Sequence, residues 1–296
     1  MHCLVKLTLL VALAACQAAC GRDETPPNAK VTKDSNFGIL PHAKTLETPH
    51  YKIISTASEE QTAQVAAAVE SLHKAYADHF GVKRSEKRME LVLYKDQAEF
   101  RAHNRSSPWA EAYYRPPRSY AYFASGENPY HWMLHEATHQ LLRQGSGFKP
   151  AKWANEGIAS YFGSSTLVGS ELEPGDPDPG AYPIWWLPSL ELSGDLAKDI
   201  ASGAVIPVRQ LVTDTGPNIN ENVNLYYMHY WGLSHFLMHY GEGRYAEKYK
   251  ELVALGGSLQ DFEKLIGPVE HVQSEWYDYM IERVRNAGSK GSRRGP

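Results

Sequence analysis

The sequence predicts an α+β fold, in which an N-terminal α/β portion with a small mixed sheet precedes a mainly helical portion. Apolar residues cluster into short strand-like runs at residues 51–56 and 89–94, with a stretch of helical spacing between them. From Pro129 onward, helical spacing predominates. Hydrophobic residues make up 43% of the chain and charged residues 22%, which is a composition that supplies a folded core.

The N-terminal portion is predicted to alternate strands and helices. Ser58, with Gln61 three positions later, resembles a capping box and predicts the start of a helix that continues to residue 80. Asp96 predicts the cap of a short helix that reaches residue 103. Two further strands, which flank a Pro-Pro turn, are predicted at residues 113–114 and 119–123.

The C-terminal portion is predicted to be a series of helices. Asn128-Pro129 favours a helix start, because proline is tolerated at the first helical position, and Gly145 or Gly147 is expected to end that helix. Residues 163–182, which are rich in Pro, Gly and Asp, are predicted to be a loop. Other helices are predicted at residues 152–162, 190–203, 208–213, 224–240, 243–255, 259–266 and 269–284.

The first 20 residues resemble a bacterial lipoprotein signal peptide. The apolar run at residues 4–15 is too short to span a bilayer as a permanent helix, but it suits the apolar region of a signal peptide. It ends in Leu-Ala-Ala-Cys, which is similar to a lipobox and predicts lipidation of Cys16. Cys20, and an ordinary cut after Ala14, are the alternatives. We therefore expect an exported protein of the bacterial cell envelope, anchored to the membrane through an N-terminal lipid.

The chain after this segment divides by composition. Residues 21–49, rich in Pro, Asn, Lys, Asp and Thr, are expected to be a flexible tether. Residues 50–285 form the expected domain, and residues 286–296, made largely of Gly, Ser, Lys and Arg, are expected to be disordered. Within the domain we expect an α/β part, a pair of central helices and a helical part, at residues 50–127, 128–165 and 166–285 respectively.

Charge and cysteine content argue against several classes of function. A net charge of −4 gives no indication of nucleic acid as a partner. All three cysteines lie in the first 20 residues, so the expected domain contains no disulfide, no cysteine nucleophile and no cysteine-type zinc cluster. We expect a monomer that is held together by its core and by any metal ion that it binds.

Residues His135-Glu136-Ala-Thr-His139 form an H-E-x-x-H motif. On a helix, positions i and i+4 lie on the same face, so both imidazoles can reach one metal ion. The Glu136 carboxylate stands beside the first histidine, where it can contact a metal-bound water. The motif predicts a Zn²⁺ ion on His135 and His139, although two incidental histidines on a structural helix would give the same spacing.

The segment around Glu156 resembles the helix that carries the third zinc ligand in gluzincin metallopeptidases. Residues 153–161 match the pattern W-x-N-E-G-x-A-x-Y, and Glu156 lies 17 positions after His139. Together with the H-E-x-x-H helix, this segment is similar to a bacterial family of uncharacterised peptidase-MA-like domains. The resemblance covers roughly residues 51–284 and is strong at the two motif helices. It implies that Glu156 is the third ligand, and three suffice because a catalytic zinc keeps one position open for water.

A third segment begins at Tyr227 and matches the start of the gluzincin helix that carries a tyrosine facing the substrate carbonyl. The resemblance assigns that role to Tyr227, whose phenol would donate a hydrogen bond to the oxyanion of the tetrahedral intermediate. Tyr226 and Tyr230 would take the role in another register. A purely structural place in the core is equally compatible with all three tyrosines.

The resemblance implies a zinc-dependent peptidase in which Glu136 acts as general base, with a peptide or protein as substrate. Two departures from the zinc aminopeptidases argue against transferring their specificity. The spacing between the histidine pair and the third ligand is shorter here, and no Gly-x-Met-Glu-Asn strand lies at the right distance before the motif. An endopeptidase or an oligopeptide enzyme is therefore at least as strongly indicated. Cobalt or manganese would be alternative metals, although two histidines and a glutamate suit zinc.

A non-catalytic zinc-containing envelope protein, which would bind a peptide or cell-wall partner, is the alternative from another class. Glu136 argues against it, because a structural zinc site has no use for that carboxylate. A structural site also fills the fourth coordination position with a protein ligand, and the sequence indicates no fourth ligand. His235 and His239 form a second i, i+4 pair, which lacks the glutamate and is interpreted as packing or hydrogen-bonded histidines. The acidic residues 171–178 lack the ligand spacing of a calcium loop and are interpreted as solvated.

Overall fold

The computed structural model describes residue 40 and residues 42–83, 87–106, 110–126 and 128–291. The fold belongs to the predicted α+β class, with a five-stranded mixed sheet in the N-terminal portion and helices in the C-terminal portion. The predicted signal peptide, both lipid-anchor candidates and most of the predicted tether lie outside the described residues.

Five strands form the sheet: β1 (Lys44–Glu47), β2 (Tyr51–Ser55), β3 (Met89–Tyr94), β4 (Tyr113–Arg115) and β5 (Arg118–Tyr122). Their order is β1-β2-β3-β5-β4. The three inner strands are parallel, whereas β1 and β4 lie at the two edges and run antiparallel to their neighbours. Inner parallel strands are usually covered on both faces and therefore have nearly continuous apolar sequences, which is why the sequence pattern predicts them.

Strand β1 corrects the predicted start of the domain. The sequence predicts a tether up to residue 49, but Lys44 already pairs with Ser55 and Glu47 with Lys52. All four side chains of β1 are exposed. The strand therefore has none of the apolar alternation that marks strands in a sequence, and its main-chain hydrogen bonds define it.

Helix α1 (Glu59–Phe80) packs against the sheet and confirms the predicted capping box. The Ser58 hydroxyl accepts a hydrogen bond from the main-chain N–H of Gln61 at 3.1 Å, and the Gln61 side chain accepts one from the N–H of Ser58 at 3.0 Å. These two bonds satisfy donors that would otherwise be left open at the helix start. The helix ends at Gly81, which adopts a φ of 70°.

The other α-helices are α2 (Gln97–His103), α3 (His131–Gln140), α4 (Lys152–Gly163), α5 (Leu196–Ser202), α6 (Val208–Thr213), α7 (Val223–Gly243), α8 (Ala246–Leu255), α9 (Leu259–Leu265) and α10 (Val269–Gly291). Helix α3 continues as a π-helical segment, Leu141–Ser146. The segment ends at Gly147, which has the left-handed conformation and is one of the two predicted helix ends. The predicted helix at residues 190–203 begins only at Leu196, and a 3-10 helix, Ile184–Ser189, precedes it.

The predicted loop at residues 163–182 is wrong in part, because it contains a β-hairpin. Its strands are β6 (Ser165–Val168) and β7 (Glu171–Pro177), and β7 packs against α1 and α7. The acidic residues interpreted as a solvated loop thus lie largely in β7. Two prolines and a glycine in β7 are disfavoured in strands, which explains why the sequence pattern indicates a loop.

The end of the chain is more helical than predicted. The sequence predicts disorder over residues 286–296, but α10 continues to Gly291, and residues 292–296 lie outside the described residues. Extending an existing helix costs much less free energy than nucleating one, so a long amphipathic helix can continue into a segment with poor helical propensity.

Candidate metal centre

Helix α3 carries the first two candidate ligands, His135 and His139, and all ten of its residues are buried. Its position is fixed by the sheet. The Ser119 hydroxyl on β5 donates a hydrogen bond to the main-chain oxygen of Glu136 at 3.0 Å, and the Gln140 side chain donates one to the main-chain oxygen of Pro117 at 2.7 Å. These two hydrogen bonds fix α3, and with it both histidines, against β5.

Helix α4 brings the third candidate ligand, Glu156, against α3. The close approach depends on Gly163, where an added Cβ would lie 3.1 Å from the main-chain nitrogen of His135. Real Cβ atoms rarely come so near to backbone, so a larger residue at this position would push the two helices apart. The pairing of α3 and α4 thus places the Glu156 carboxylate near the Nε2 atoms of both histidines.

The three candidate ligand atoms form a compact triangle. The Nε2 atoms of His135 and His139 are 3.2 Å apart, and Oε2 of Glu156 lies 3.5 Å from the first and 3.6 Å from the second. Zinc bonds of about 2.0–2.1 Å in tetrahedral geometry separate ligand atoms by about 3.3 Å. The nitrogen–oxygen distances are longer than those of hydrogen-bonded ion pairs, which are about 2.7–2.9 Å. The triangle therefore has a spacing in which the three atoms could hold one metal ion.

Asn155 orients the second histidine. Its side-chain oxygen lies 3.2 Å from Nδ1 of His139, where it can accept the ring proton. A proton on Nδ1 leaves the lone pair on Nε2, which is the atom that belongs to the ligand triangle. The sequence predicts no partner for either histidine, and the only signal for Asn155 is its place directly before Glu156 in the motif.

Burial controls the protonation of the site. Desolvation lowers the pKa of His139 to about 4, so its ring is in the neutral form that binds metals. Burial also raises the pKa of Glu136 well above its usual range, and the charge of Glu156 raises it further, whereas a main-chain hydrogen bond from Tyr114 opposes the shift. Glu136 is thus linked to the ligand triangle by charge and to strand β4 by a hydrogen bond.

The structure brings two of the three candidate tyrosines to the site. The ring centroid of Tyr227 lies 6.2 Å from that of His135. The pKa of Tyr230 is raised by burial and then by the charge of Glu156. Tyr226 instead donates a hydrogen bond to the main-chain oxygen of Pro217 at 2.7 Å, away from the ligands.

The second histidine pair has protein partners. The two ring nitrogens of His235 lie 2.9 Å from the main-chain oxygen of Gly175 and 2.6 Å from the Tyr279 hydroxyl. Nε2 of His239 lies 2.8 Å from the Tyr161 hydroxyl. These contacts agree with the interpretation of the pair as packing or hydrogen-bonded histidines. Within the described part of the chain, His135, His139 and Glu156 are the one group of at least three His, Cys, Asp or Glu side chains whose ligand atoms converge.

Comparisons of the sequence with protein-family models and with curated proteins give no match. None of the described helices is long and apolar enough to cross a membrane. The function of this chain is therefore inferred from the geometry of the site and from the motif residues themselves.

Proposed function

We propose that this chain is a zinc-dependent metallopeptidase of the gluzincin type, which hydrolyses peptide bonds in the bacterial cell envelope. The observation that supports this most directly is the buried triangle of His135, His139 and Glu156, with the Glu136 carboxylate next to it in sequence and in charge interaction with Glu156. The lipid anchor proposed at Cys16, which lies outside the described residues, would hold this activity at a membrane surface.

The three candidate ligands would leave one coordination position of a bound zinc ion open for water. A zinc ion on the three ligands would polarise a substrate carbonyl and lower the pKa of a bound water. Catalytic zinc sites combine three protein ligands with one open position, whereas structural sites use four protein ligands. In the described residues the converging group has three members, which supports a catalytic site over the non-catalytic alternative.

Glu136 is the proposed general base and acid. Its carboxylate takes the proton of the attacking water and passes that proton to the leaving amine nitrogen. The hydrogen bond from the main chain of Tyr114 holds the carboxylate on the side that faces strand β4.

Tyr227 is the proposed hydrogen-bond donor to the oxyanion. Its ring contacts His135, and its helix α7 packs against α4, which carries Glu156. A neutral phenol that is held in place before reaction can stabilise negative charge with little reorganisation. Tyr230 has no exposed surface, whereas Tyr227 is 4% exposed, which favours Tyr227 for contact with a substrate.

Strand β4 supports a peptide as the substrate. It is an edge strand of the sheet, and the main chain of its middle residue, Tyr114, contacts Glu136. Edge strands present main-chain donors and acceptors that an extended peptide can pair with. A peptide added along β4 would pass directly beside the proposed general base.

Replacing Glu136 with glutamine tests the proposed chemistry. The Glu136→Gln variant should retain wild-type zinc content, because Glu136 is not a ligand, and should lose at least about a hundredfold in turnover of a quenched fluorescent peptide mixture. Glu251→Gln, an exposed position on α8, is the matched control and should retain both properties. Turnover at the wild-type level in Glu136→Gln would show that the assigned general-base role is wrong.

A further inference from the structure

A series of aromatic rings leads from the metal ligand His135 to the protein surface. The Tyr227 ring contacts His135, and its centroid lies 5.3 Å from that of Tyr182. The Tyr182 ring lies 5.7 Å from that of Trp185, which is 41% exposed although tryptophan side chains are usually more buried. The outer end of this series is therefore open to a ligand, and its inner end touches the candidate metal centre.

Helix α3 provides the other side of the same cluster. The Trp132 ring lies 5.6 Å from Tyr182 and 6.1 Å from Trp185, and the His131 ring meets Trp185 edge-on at 5.5 Å. His131 precedes His135 by one helical turn, so both project on the same side of α3. We call His131, Trp132, Tyr182, Trp185 and Tyr227 the aromatic cluster.

His131 gives the aromatic cluster a polar feature. Its Nδ1 lies 2.7 Å from the main-chain oxygen of Asn128 and donates its proton there, so Nε2 carries the lone pair. Burial lowers the pKa of His131 to about 4, which keeps the ring neutral. Nε2 is buried and has no hydrogen-bond partner within the described part of the chain. Buried acceptors are nearly always paired, so this atom is suited to a donor that a ligand supplies.

We propose that the aromatic cluster is the specificity pocket of the enzyme and binds an aromatic side chain that carries a hydrogen-bond donor, as tyrosine does, in the residue next to the scissile bond. This inference rests on the proposed peptidase function. The ring of the substrate side chain packs against the exposed Trp185 ring, beside His131, in an edge-to-face or offset contact. Its hydroxyl donates a hydrogen bond to Nε2 of His131.

Hydroxamates test the pocket without the need for a known substrate. Binding of N-acetylated hydroxamates of tyrosine, phenylalanine and alanine to the zinc-loaded protein would be measured by isothermal titration calorimetry, with acetohydroxamate as the side-chain-free reference. The tyrosine compound should bind at least about tenfold more tightly than the alanine compound. Its affinity should also be about threefold to tenfold higher than that of the phenylalanine compound, which is the usual effect of one added hydrogen bond.

Two variants separate the rings from the acceptor. Trp185→Ala, at a partly exposed position, should weaken the binding of both aromatic hydroxamates and leave the binding of acetohydroxamate unchanged. His131→Phe keeps a ring but removes Nε2, so it should abolish the preference for tyrosine over phenylalanine. Leu255→Ala on α8, an exposed large-to-small change, is the control and should change none of these values. Since Trp185→Ala replaces a surface residue, it remains informative if His131→Phe does not fold.

Failure of the pocket and failure of the proposed function give different results. If acetohydroxamate binds but the tyrosine, phenylalanine and alanine hydroxamates bind with equal affinity, the pocket assignment is overturned and the metal site stands. If no hydroxamate binds, the metal proposal fails, and N-acetyltyrosinamide, which has no metal-binding group, then decides the pocket by ligand-observed NMR. Binding that Trp185→Ala abolishes would support the pocket, and binding no stronger than that of N-acetylalaninamide would overturn it.

Discussion

The hydrogen bond between His139 and Asn155 determines which nitrogen of the His139 ring faces the ligand triangle. Without an acceptor at Nδ1, the ring proton can move to Nε2 and block the lone pair that the metal needs. The amide oxygen of Asn155, 3.2 Å from Nδ1, would therefore act on a bound metal ion through the ring rather than by direct contact.

We expect Asn155→Ala to weaken zinc affinity by about tenfold to a hundredfold, the usual effect of losing such a hydrogen-bond partner. Affinity would be measured by competition with a chromophoric chelator. Asn155→Asp keeps an acceptor at the same place and should bind zinc nearly as tightly as the wild type. Equal affinity in all three proteins would contradict the positioning role.

At the scale of single residues, the convergence of the three candidate ligands could be predicted from the sequence, and the hydrogen-bond partners of these residues could not. His135, Glu136 and His139 have a spacing that only needs a helix to bring them to one face, and the segment around Glu156 has its own motif. The roles of Asn155 and His131 depend on side-chain rotamers and on which neighbours fold against them. A sequence pattern does not specify either.

At the scale of elements, α4 is the part that assembles the site, because it packs against both α3 and α7. Gly157, directly after the candidate ligand Glu156, lies against α7. A Cβ on Gly157 would lie 2.7 Å from the main-chain oxygen of Tyr230 and would overlap the Ser234 hydroxyl. The glycine of the motif is thus a packing requirement between two helices.

Gly157→Ala should destabilise the protein by about 1–3 kcal/mol, since overpacking a tight contact forces backbone shifts. The free energy of unfolding would be obtained from urea titrations of the metal-free protein. Gly180→Ala adds the same methyl group at an exposed position, 3.2 Å from a side-chain oxygen of Asp178 rather than against backbone, and should stay within about 0.5 kcal/mol of the wild type. A Gly157→Ala protein as stable as this control would contradict the packing account.

Elements with strong apolar periodicity could be predicted from the sequence, as α1 and its capping box show. Strand β1 and the β6–β7 hairpin could not, because their main-chain pairing is not accompanied by apolar alternation. The extension of α10 to Gly291 could not be predicted either. Its last turns contain glycine and serine, whose weak helical propensity is overridden by the helix that precedes them.

At the scale of the whole molecule, buried neutral histidines couple stability to pH. His229 donates a hydrogen bond from Nδ1 to the main-chain oxygen of Leu225 at 2.7 Å, and its Nε2 accepts one from the N–H of Ile206 at 3.3 Å. Burial lowers the pKa of His229 to about 4 and that of His235 to about 3. Below their unfolded pKa of about 6.5, only the unfolded chain gains these protons, so stability falls with falling pH.

The free energy of unfolding of the metal-free protein should therefore decrease between pH 7 and pH 5, by up to about 2 kcal/mol for each such histidine. Urea titrations at the two pH values would measure the decrease. His229→Gln, which keeps a donor and an acceptor but does not titrate, should show a smaller decrease than the wild type. Equal decreases in the two proteins would show that His229 does not contribute.

The central claim, that His135, His139 and Glu156 hold one zinc ion, is tested most directly by elemental mass spectrometry of the purified chain without its predicted signal peptide. We expect one zinc per chain, and its loss in His139→Ala. Well-folded protein that contains no zinc, even after zinc is added back, would contradict the claim, and the non-catalytic binding protein would then become the leading account.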